Sequence, residues 1–511
     1  MNKTILLRCD YFNGSGAGHI RRILTLYYGL IKKGIKPILV LDDFDGVETR
    51  NLDINIEKVK IVKFNEEKDA KEIVFLAKKY KTNIVFGDSY RISNYWVNLL
   101  KKSGLKVICI DELGVLDKTD LSINYTPLKN SEIEKRIKIN NLVGPEFFIT
   151  ESKKLSYKKR QVKHIIAHAG GNGDYSNAEN IYKALNIITQ KLSISVDWVC
   201  TNEYSLKSLK KIIQITSKDR ILDWVKGNNS IWSFYDIVVG PSSTSVYESI
   251  MQGTLPISFP INKNQLTDRE DWLTLGHALH INKSELENIS LINELIEIAI
   301  KKNDLFLKIL AKYSSRLDGT GTEKIIDNIE GFINNRIEKI SLSHFKPLVN
   351  GINKCPFFLA ESFLNARNSP DVRKMSTNPK HIISWSEHLN WWVKAKTKKF
   401  ILVEDHKPSA YFWLKNLRLQ QGKFITAGWF PASNATNLFS ILKIMDWQIN
   451  YFSKKYPGYI WVATVSETNK GAMALNKRFG FVPANKSTLE VIPILFPGTP
   501  KNFKVFELLC K

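Results

Sequence analysis

The first 340 residues alternate between short apolar runs and segments with helical spacing. Residues 4–10 form an apolar run that indicates a strand. Residues 18–33 then carry apolar side chains at the spacing of an amphipathic helix. Strand and helix patterns that alternate with short connections predict a parallel, doubly wound sheet. Further strands are predicted at 37–41, 58–64, 83–86 and 106–111, with helices near 67–80 and 92–102.

The same alternation restarts at residues 162–167. Strand runs follow at 194–200, 236–239 and 256–259, and a helical tail extends from about 291 to 334. Two successive α/β units of this size predict two Rossmann-like lobes with a cleft between them. We place the first lobe at residues 1–155 and the second at residues 156–340.

The pattern changes after residue 340. Strands are predicted at 399–404, 409–415 and 423–430, and a long helix at 437–455. A further strand at 459–465 and a helix at 469–478 follow. This is an α+β arrangement rather than a third Rossmann-like lobe. We place this domain at residues 350–511, with its boundary between about 335 and 355.

The composition excludes several classes of protein. The 43% apolar and 24% charged residues are ordinary for a globular chain, so disorder and collagen are excluded. No apolar run reaches the roughly 18 residues of a membrane helix, and the N-terminal residues lack a secretion cleavage pattern. The five cysteines lie far apart without a CxxC pair, so no zinc site or disulfide framework is expected. We therefore expect a cytoplasmic protein without a metal site or membrane span.

The net charge of +24 is unevenly distributed. From residue 340 onward there are 24 Lys and Arg residues against 9 Asp and Glu residues. A basic excess favours anionic partners. However, the lysines are scattered, and no basic stripe is interleaved with aromatic residues as in a nucleic-acid-binding module. We therefore expect no nucleic-acid partner, and the sequence indicates no particular oligomeric state.

A glycine-rich segment, GSGAGH at 14–19, joins the first predicted strand to the first predicted helix. Such a loop lets the backbone approach a ligand closely, and the helix N-terminus favours an anion. It is not a dinucleotide fingerprint, because His19 stands where the third glycine belongs, and no P-loop lysine follows. His19 is a candidate general base, and Asp10 at the strand end is the candidate that orients its ring. The alternative is a tight turn in which His19 only caps the helix.

The residues around this loop resemble a known family. The pattern R-x-D followed by G-x-G-H-x-x-R is similar to the opening of the UDP-2,4-diacetamido-2,4,6-trideoxy-β-L-altropyranose hydrolases of pseudaminic acid biosynthesis. Further short segments resemble this family in order and spacing over roughly residues 3–290. The resemblance implies the two-lobed glycosyltransferase B-type (GT-B) fold and hydrolysis at the anomeric carbon, with His19 as the base that activates water. The matching residues of the opening are Arg8, Asp10, Gly16, Gly18, His19 and Arg22.

The resemblance also implies a set of substrate-binding residues and no cofactor for hydrolysis. Asp88 and Tyr90 follow a strand of the first lobe, and Gly170 and Gly171 would let the second lobe pass close to the nucleotide. Glu248, one turn into a helix, suits the ribose hydroxyls; the alternative is an exposed helix carboxylate. The charge of UDP would be held at the start of that helix, and a neighbouring loop would reach the sugar or phosphate. These last residues are Ser242, Ser243, Thr244, Ser245, Asn264 and Gln265.

Four other histidines are weaker candidates. His164 and His168 flank a predicted buried strand on one face and are interpreted as structural. His277 and His280 have no evident partner in the sequence.

The C-terminal domain carries a second resemblance. Residues 469–481 follow a predicted strand and resemble the last conserved motif of the GNAT acetyltransferases. Residues 361–392 resemble the opening of sugar N-acetyltransferases of the same superfamily. Together these segments imply an acetyl-CoA-dependent domain over about residues 355–485. The matching residues of the opening are Arg367, Asn368, Arg373, His388 and Trp391.

Two departures bear on this second resemblance. The segment before the long helix lacks the arginine and glycines of the family's pyrophosphate loop, so Asn434, Thr436 and Asn437 are left to hold coenzyme A phosphates. Asn469 opens the last motif, but Asn476 stands where the family often has a tyrosine acid. An amide cannot protonate a thiolate as a phenol does. The domain is therefore a slow acetyltransferase, one that uses another acid, or a sugar-binding remnant.

These motifs together predict a fusion of a UDP-sugar hydrolase with a sugar N-acetyltransferase. Acetylation would supply the diacetamido sugar that the hydrolase consumes on the way to a nonulosonic (pseudaminic) acid. Two alternatives stay open. A UDP-sugar-dependent GT-B glycosyltransferase of surface polysaccharide synthesis would share the fold and the donor loop. A non-catalytic sugar-nucleotide-binding scaffold would need no base at His19.

Overall fold

The computed structural model divides the chain into two compact units, Met1–Leu342 and Ser343–Lys511. Within them the structure describes residues 3–11, 18–42, 56–59, 64–128, 141–157, 161–171, 173–223, 231–262, 265, 267–334, 348–394, 397–433 and 437–511. Among these residues no helix is long and apolar enough to cross a membrane.

The N-terminal unit opens with seven strands and three helices. The strands are β1 (Thr4–Cys9), β2 (Lys36–Asp42), β3 (Ile56–Val59), β4 (Ile84–Asp88), β5 (Lys106–Ile110), β6 (Leu121–Asn124) and β7 (Asn141–Val143). The helices are α1 (Gly18–Lys32), α2 (Glu66–Lys79) and α3 (Asn94–Lys102). All strands pair in parallel in the order β3-β2-β1-β4-β5-β6-β7. The strand order reverses between β1 and β4, which is the edge position where doubly wound sheets bind ligands.

A second parallel sheet follows in the same unit. Its strands are β8 (His164–His168), β9 (Ser195–Cys200), β10 (Arg220–Asp223), β11 (Ile237–Pro241) and β12 (Leu255–Phe259), in the order β10-β9-β8-β11-β12. Its helices are α4 (Glu179–Leu192), α5 (Glu203–Ile212), α6 (Thr244–Met251) and α7 (Arg269–Leu273). Here the order reverses between β8 and β11. The prediction of two Rossmann-like lobes is confirmed by these two sheets.

The helical tail consists of α8 (Ile289–Lys301), α9 (Asn303–Tyr313) and α10 (Gly321–Ile333). Helix α10 packs on the first lobe, although the sequence pattern assigned it to the second. The Ile326 side chain lies against Gly29 of α1 at a point where a Cβ atom would clash. The Thr322 hydroxyl donates to the Thr150 carbonyl at 2.7 Å. The last helix therefore ties the tail of the unit to α1.

The first sheet is held by an apolar core on the face covered by α2 and α3. Leu6 and Val85 lie on adjacent strands of this core, and Ile73 and Trp96 pack on them from the helices. Trp96 has no exposed surface, and burial of such a ring contributes several kcal/mol at roughly 25 cal/mol per Å². This packing fixes the strand ends that carry the site.

The C-terminal unit contains one mixed seven-stranded sheet. Its strands are β13 (Gly351–Lys354), β14 (Thr397–Glu404), β15 (Lys407–Leu419), β16 (Gly422–Pro431), β17 (Ile460–Ser466), β18 (Val482–Pro483) and β19 (Phe503–Leu509). The order is β13-β14-β15-β16-β17-β19-β18, with β16 and β17 parallel and the other pairs antiparallel. The helices are α11 (Ala360–Asn368), α12 (Pro370–Lys374), α13 (Trp385–Trp392), α14 (Leu438–Lys455), α15 (Lys470–Arg478), α16 (Lys486–Glu490) and α17 (Ile492–Leu495). This unit is a mixed-sheet domain with helices, and its assignment to a particular fold type stays a prediction.

Candidate active site

The predicted site residues lie at the carboxyl ends of strands at both order reversals. In the first lobe Asp88 ends β4, and His19 lies in the first turn of α1. In the second lobe Gly170 follows β8 and Ser242 follows β11. Because β1 neighbours β4 and β8 neighbours β11, each group is brought to one edge of its sheet.

His19 is held by a buried carboxylate. Its ring is 4% exposed, and Nδ1 lies 2.7 Å from Oδ1 of Asp88 and 2.9 Å from Nη2 of Arg22. Because Asp88 is ionised and Arg22 has no lone pair to offer, Nδ1 must carry the proton and donate it to Asp88. This tautomer follows from the hydrogen-bond network. It leaves the lone pair on Nε2, the form that a general base requires.

Arg22 neutralises this carboxylate and extends the cluster. Its Nε donates to Asp88 Oδ2 at 2.6 Å, and its Nη1 donates to the Tyr125 hydroxyl at 2.5 Å and to Glu112 at 3.1 Å. Burial alone would raise the pKa of Asp88, but Arg22 and His19 hold it well below its usual value. Tyr90 donates its hydroxyl to Glu112 and presents its ring edge to His19, with centroids 4.8 Å apart. The charges of the cluster are thus paired around the imidazole.

Asp10 does not orient His19, so that prediction is wrong. The Asp10 carboxylate accepts hydrogen bonds from Ser89 at 2.6 Å and from Arg91 at 2.5 Å. The residue that contacts the ring is Asp88, which ends the neighbouring strand. Asp10 was proposed because it is close to His19 in sequence, whereas parallel pairing places β4 beside β1.

Arg8 is buried and paired inside the first lobe, and its substrate-binding role stays a prediction. Its side chain is 1% exposed and forms ion pairs with Asp69 at 2.7 Å and Asp42 at 2.8 Å. Its Nη1 donates to the Cys9 carbonyl at 2.7 Å. Trp96 donates to the second oxygen of Asp69 at 2.8 Å. Arg8 therefore neutralises two acidic groups inside the first lobe.

The loops of the second lobe converge at the ends of β8, β11 and β12. Gly170 has a φ of +77°, and a Cβ atom there would lie 3.4 Å from Pro241 and 3.7 Å from Ile261. Gly171 lies in the same turn. A Cβ at Gly240 would overlap the His168 ring. Glycine at these positions therefore brings three loops close together, as a site for a nucleotide requires.

The main-chain N–H groups at the start of α6 are not capped by the side chain of the N-cap serine. Ser243 is the N-cap residue, yet it makes no capping bond; its hydroxyl pairs with that of Ser245 at 2.9 Å. Ser242 is buried and its hydroxyl lies 3.2 Å from Nδ1 of His280. Thr244 begins the helix. The Val246 N–H already donates to the Ser243 carbonyl at 3.0 Å, so the N–H groups of Thr244 and Ser245 and the positive end of the helix dipole are the features suited to an anion.

Glu248 lies on α6 one turn after Thr244 and is buried rather than exposed. One carboxylate oxygen accepts from the Trp232 indole at 3.0 Å. The other lies 3.4 Å from Nη2 of Arg21 on α1. Burial raises the pKa of Glu248, and the charge of Arg21 and the Trp232 hydrogen bond oppose that rise. Glu248 therefore joins the two lobes across the cleft.

An aromatic contact joins the lobes beside this ion pair. Tyr247 of α6 stacks on Phe148 with centroids 4.6 Å apart and meets the edge of Tyr125 at 5.8 Å. Tyr125 is the same residue whose hydroxyl binds Arg22. The start of α6 and the His19 cluster therefore belong to one site.

Some predicted residues are placed differently or lie outside the described part of the chain. Gly18 begins α1, while Gly16 and Asn264 lie outside the described residues. Gln265 is described, and its side-chain carbonyl accepts from the Ile261 N–H at 3.0 Å. Its role toward a substrate stays a prediction.

His277 and His280, for which the sequence showed no partner, share a hydroxyl. Ser258 Oγ lies 2.7 Å from Nε2 of His277 and 2.9 Å from Nδ1 of His280. Burial lowers the pKa of His277 to about 3 and that of His168 to about 4, so both rings are neutral at pH 7. His164 lies at the exposed start of β8, with its Nδ1 2.7 Å from the Ser195 hydroxyl. Of these histidines, His280 contacts Ser242 at the end of β11.

Sequence reasoning omitted four residues of the site: Arg21, Glu112, Tyr125 and Trp232. Tyr125 directly follows β6, and Glu112 is the second residue after β5, where polar side chains of a parallel sheet gather. That position was a usable signal. Arg21 and Trp232 act through contacts with Glu248 that only the folded chain reveals.

In the C-terminal unit, a side chain already caps the start of α14. Asn437 is its N-cap and accepts from the Ser440 N–H at 3.0 Å. Glu404 accepts from the Ser440 hydroxyl at 2.6 Å and from Lys443 at 2.7 Å. Hydrogen bonds from Lys443, Ser409 and Ser440 lower the pKa of Glu404 to about 2. A carboxylate at this helix start does not fit a coenzyme phosphate. Asn434 and Thr436 lie outside the described residues.

The two asparagines of the last motif have different environments. Asn469 caps α15 and accepts from the Ala472 N–H at 3.0 Å. Asn476 is buried on α15, and its Nδ2 has no hydrogen-bond partner among the described residues. The described residues also contain no group of three His, Cys, Asp or Glu side chains arranged for a metal ion.

The residues that opened the acetyltransferase resemblance lie together in this unit. The Arg367 guanidinium lies 5.5 Å from the Trp391 ring centroid, and Nζ of Lys399 lies 5.1 Å from it. The His388 ring lies 5.5 Å from the same indole. Two cationic side chains therefore lie against the Trp391 ring.

Comparisons with known proteins give only distant likenesses. No protein-family model matches the chain, and no curated protein matches it. Among solved structures, Acinetobacter baumannii MurG is 14% identical with a TM-score of 0.47, and the match covers 64% of this chain and 99% of the MurG chain. An S. aureus MnaA–UDP co-structure is 14% identical with a TM-score of 0.49, covering 66% of this chain and 99% of its own. UDP-GlcNAc 2-epimerase from Neisseria meningitidis is 10% identical with a TM-score of 0.46, covering 64% and 99%. At these values, the fold assignment rests on the strand orders of the two sheets.

Proposed function

We propose that residues 1–342 form an enzyme that acts on a UDP-linked sugar and breaks the bond between the anomeric carbon and UDP. The observation that carries the proposal is the 2.7 Å contact between Nδ1 of His19 and Asp88 at the edge of the first sheet. It fixes the tautomer with a basic Nε2. The start of α6 contacts the same cluster through Tyr247 and Glu248, so a base and an anion site line one cleft.

The chemistry follows from this arrangement. Nε2 of His19 takes the proton of the attacking hydroxyl as its oxygen bonds to the anomeric carbon. Asp88 stabilises the imidazolium that forms. The electron pair of the broken C–O bond leaves on the β-phosphate of UDP. Main-chain N–H groups at the start of α6 and the neighbouring serine hydroxyls are suited to hold that charge.

We further propose that the attacking group is water and that the substrate is UDP-2,4-diacetamido-2,4,6-trideoxy-β-L-altropyranose. The support is the sequence resemblance, in which Gly18, His19 and Arg22 match described residues of the cleft. Free hexose and UDP would be the products. This places the reaction in nonulosonic acid synthesis.

A second candidate is a glycosyltransferase, in which a carbohydrate hydroxyl replaces water. One observation favours it. Leu113 and Val115 follow Glu112 of the cluster and are 42% and 58% exposed. Exposed apolar side chains next to a site offer a surface to an acceptor. The base, the carboxylate and the anion site would serve either reaction.

Mass spectrometry of the products in H₂¹⁸O separates these reactions. The purified full-length protein is incubated with the diacetamido UDP-sugar without any acceptor. We expect free hexose that carries ¹⁸O at the anomeric carbon, and unlabelled UDP. His19→Ala should abolish this, whereas His164→Ala, which removes an exposed histidine of β8, should not.

The other outcomes are equally informative. Release of UDP only after a saccharide is added would establish the glycosyltransferase instead. Label in UDP rather than in the sugar would show that the P–O bond breaks and contradict the proposal. UDP that binds without any release, in the presence or absence of saccharide, would support a non-catalytic scaffold.

For residues 350–511 we propose a sugar N-acetyltransferase activity that uses acetyl-CoA. Besides the sequence resemblance, one observation favours it. The parallel ladder between β16 and β17 spans three residue pairs, from Phe424–Ile460 to Thr426–Val462, although both strands continue beyond it. Beyond these three pairs, the main-chain N–H and C=O groups of β16 and β17 no longer bond to each other. They suit an extended ligand that contains amides, as coenzyme A does. The start of α14 does not provide the phosphate site, because Glu404 occupies it.

Calorimetry with the full chain tests this second activity. We expect coenzyme A and pantetheine to bind with affinities within a few-fold, because the phosphates meet Glu404 rather than open helix donors. Glu404→Gln should strengthen coenzyme A binding and leave pantetheine unchanged. A flat titration at millimolar coenzyme A would contradict the proposal.

A further inference from the structure

We infer that Arg21 is a substrate-contact residue that exchanges Glu248 for the diphosphate of the bound nucleotide. The inference rests on the proposed function of the N-terminal unit. Arg21 lies between His19 and Arg22 in sequence, but both of these face Asp88. Arg21 instead reaches across the cleft to Glu248 of the second lobe.

The contact between Arg21 and Glu248 is a loose one. Its N···O distance is 3.4 Å, whereas charge-assisted hydrogen bonds usually measure about 2.7–2.9 Å. The Arg21 side chain is 35% exposed and that of Glu248 is 10% exposed. Partly exposed ion pairs of this kind contribute little stability. A partner with more charge would therefore compete with Glu248 for the guanidinium.

Glu248 remains supported when Arg21 leaves it. The Trp232 indole donates to its other oxygen at 3.0 Å, in a buried position. Two ribose hydroxyls could donate to the oxygen that now faces Arg21. The carboxylate would then exchange an ionic partner for neutral donors. Binding of the ribose and release of the arginine are therefore coupled.

The released guanidinium has a short path to the anion site. Thr244 and Glu248 are four residues apart on α6, so they lie on one face, separated by one turn. One turn of helix is about 5.4 Å. A diphosphate at the α6 start would thus lie within the reach of an arginine side chain anchored on α1. Arginine is suited to this because its planar fork binds phosphate oxygens in a bidentate manner.

This position gives Arg21 a defined role in the reaction. When the bond between the anomeric carbon and oxygen breaks, negative charge increases on the β-phosphate. The guanidinium would neutralise that charge while His19, two residues earlier, holds the proton from the attacking hydroxyl. Glu248 thus holds Arg21 near the cleft before the nucleotide arrives.

Calorimetric titration of the full-length protein with UDP and with uridine tests the assignment. Arg21→Met should weaken UDP binding at least tenfold and leave uridine binding within twofold. Arg21→Lys should lose less than Arg21→Met. The matched control is Lys33→Met, which removes one positive charge just beyond the other end of α1, where Lys33 pairs with Asp327 at 2.7 Å. It should leave both affinities unchanged.

The titrations distinguish a failure of the Arg21 role from a failure of the proposed function. Wild-type protein that binds UDP, with Arg21→Met binding it equally well, would overturn the role of Arg21 alone. Equal loss of UDP and uridine affinity would show a structural effect and also overturn it. Absence of UDP binding by the wild type would overturn the proposed function together with this inference.

Discussion

Replacing Asp88 by asparagine should remove the charge that orients His19 while keeping the shape of the side chain. The carboxylate accepts from Nδ1 at 2.7 Å and pairs with Arg22 through both of its oxygens. In the variant, the amide oxygen accepts from Nε of Arg22, as Oδ2 does now, and the amide NH2 group then faces Nδ1 of His19 and Nη2 of Arg22. With only donors around it, Nδ1 becomes an acceptor, which moves the imidazole proton to Nε2. That tautomer cannot act as the base.

The size of the effect follows from the charges. An imidazolium beside a carboxylate at about 4 Å gains about 4 kcal/mol at an effective dielectric constant of about 20. Loss of that stabilisation corresponds to about a thousandfold decrease in kcat. Arg22 keeps Tyr125 at 2.5 Å and Glu112 at 3.1 Å, so the variant should still fold. The loss should therefore appear in turnover rather than in UDP affinity.

Asp10→Asn is the matched control. Asp10 is also buried at this edge of the sheet, but it binds Ser89 and Arg91 rather than His19. Release of UDP from the UDP-sugar gives kcat, calorimetry gives the UDP affinity, and thermal unfolding reports folding. We expect Asp10→Asn to stay within tenfold of the wild type. Full activity in a folded Asp88→Asn protein, with a large loss in Asp10→Asn, would refute the reasoning.

Three further predictions concern binding and stability. Glu248→Gln should weaken UDP binding about fivefold, because hydrogen bonds to a charged group contribute about 1 kcal/mol more than neutral ones; an unchanged dissociation constant would show that Glu248 does not hold the ribose. Arg8→Met should lower the free energy of unfolding by about 3 kcal/mol in urea, because it leaves Asp42 and the fully buried Asp69 without their main partner; Lys71→Met, which removes an exposed pair with Glu67, should change it by less than about 0.5 kcal/mol. Lowering the pH from 7.5 to 5.0 should reduce stability, because burial lowers the pKa of His168 to about 4 and of His277 to about 3, while the unfolded rings take up protons near pH 6.5. Each should account for about 2 kcal/mol at pH 5, so denaturant unfolding of His168→Gln should show a smaller loss on acidification, and an equal loss would contradict the assignment.

The sequence was sufficient for the architecture of the N-terminal unit. Period-two and helical patterns alternate clearly there, and each apolar run that was long enough became a strand. The short strands β6, β7 and β10, of three or four residues, were not predicted. Runs of that length carry too few positions to show a period. Their place in the sheet depends on neighbours that are distant in sequence.

The candidate site was predicted in part, for a physical reason. Residues that follow strand ends, such as His19, Asp88 and Ser242, could be found because parallel strands bring their carboxyl ends to one edge. Which of them touch could not be found in the same way. Asp10 was the predicted partner of His19 because it is close along the chain, but Asp88 is the partner in space. Arg8 was predicted to contact the substrate, but its ion pairs with Asp42 and Asp69 lie inside the first lobe.

The C-terminal unit shows the same distinction. Four of its strands and its long helix were predicted from patterning alone. The carboxylate at the start of α14 was not, because Glu404 and Ser440 are 36 residues apart and meet only through the fold. An Asn-rich helix start looked suited to phosphates in the sequence. The structure shows that Asn437 is used as a cap and that the charge nearby is negative.

The most direct test of the central claim is UDP release by His19→Ala, measured on the same preparation as its UDP affinity. The account predicts that release from the diacetamido UDP-sugar disappears while the dissociation constant for UDP stays within a few-fold of the wild type. That result would separate the base from the nucleotide site. Unchanged release by a folded His19→Ala protein would contradict the account, because no general base would then be needed at this position.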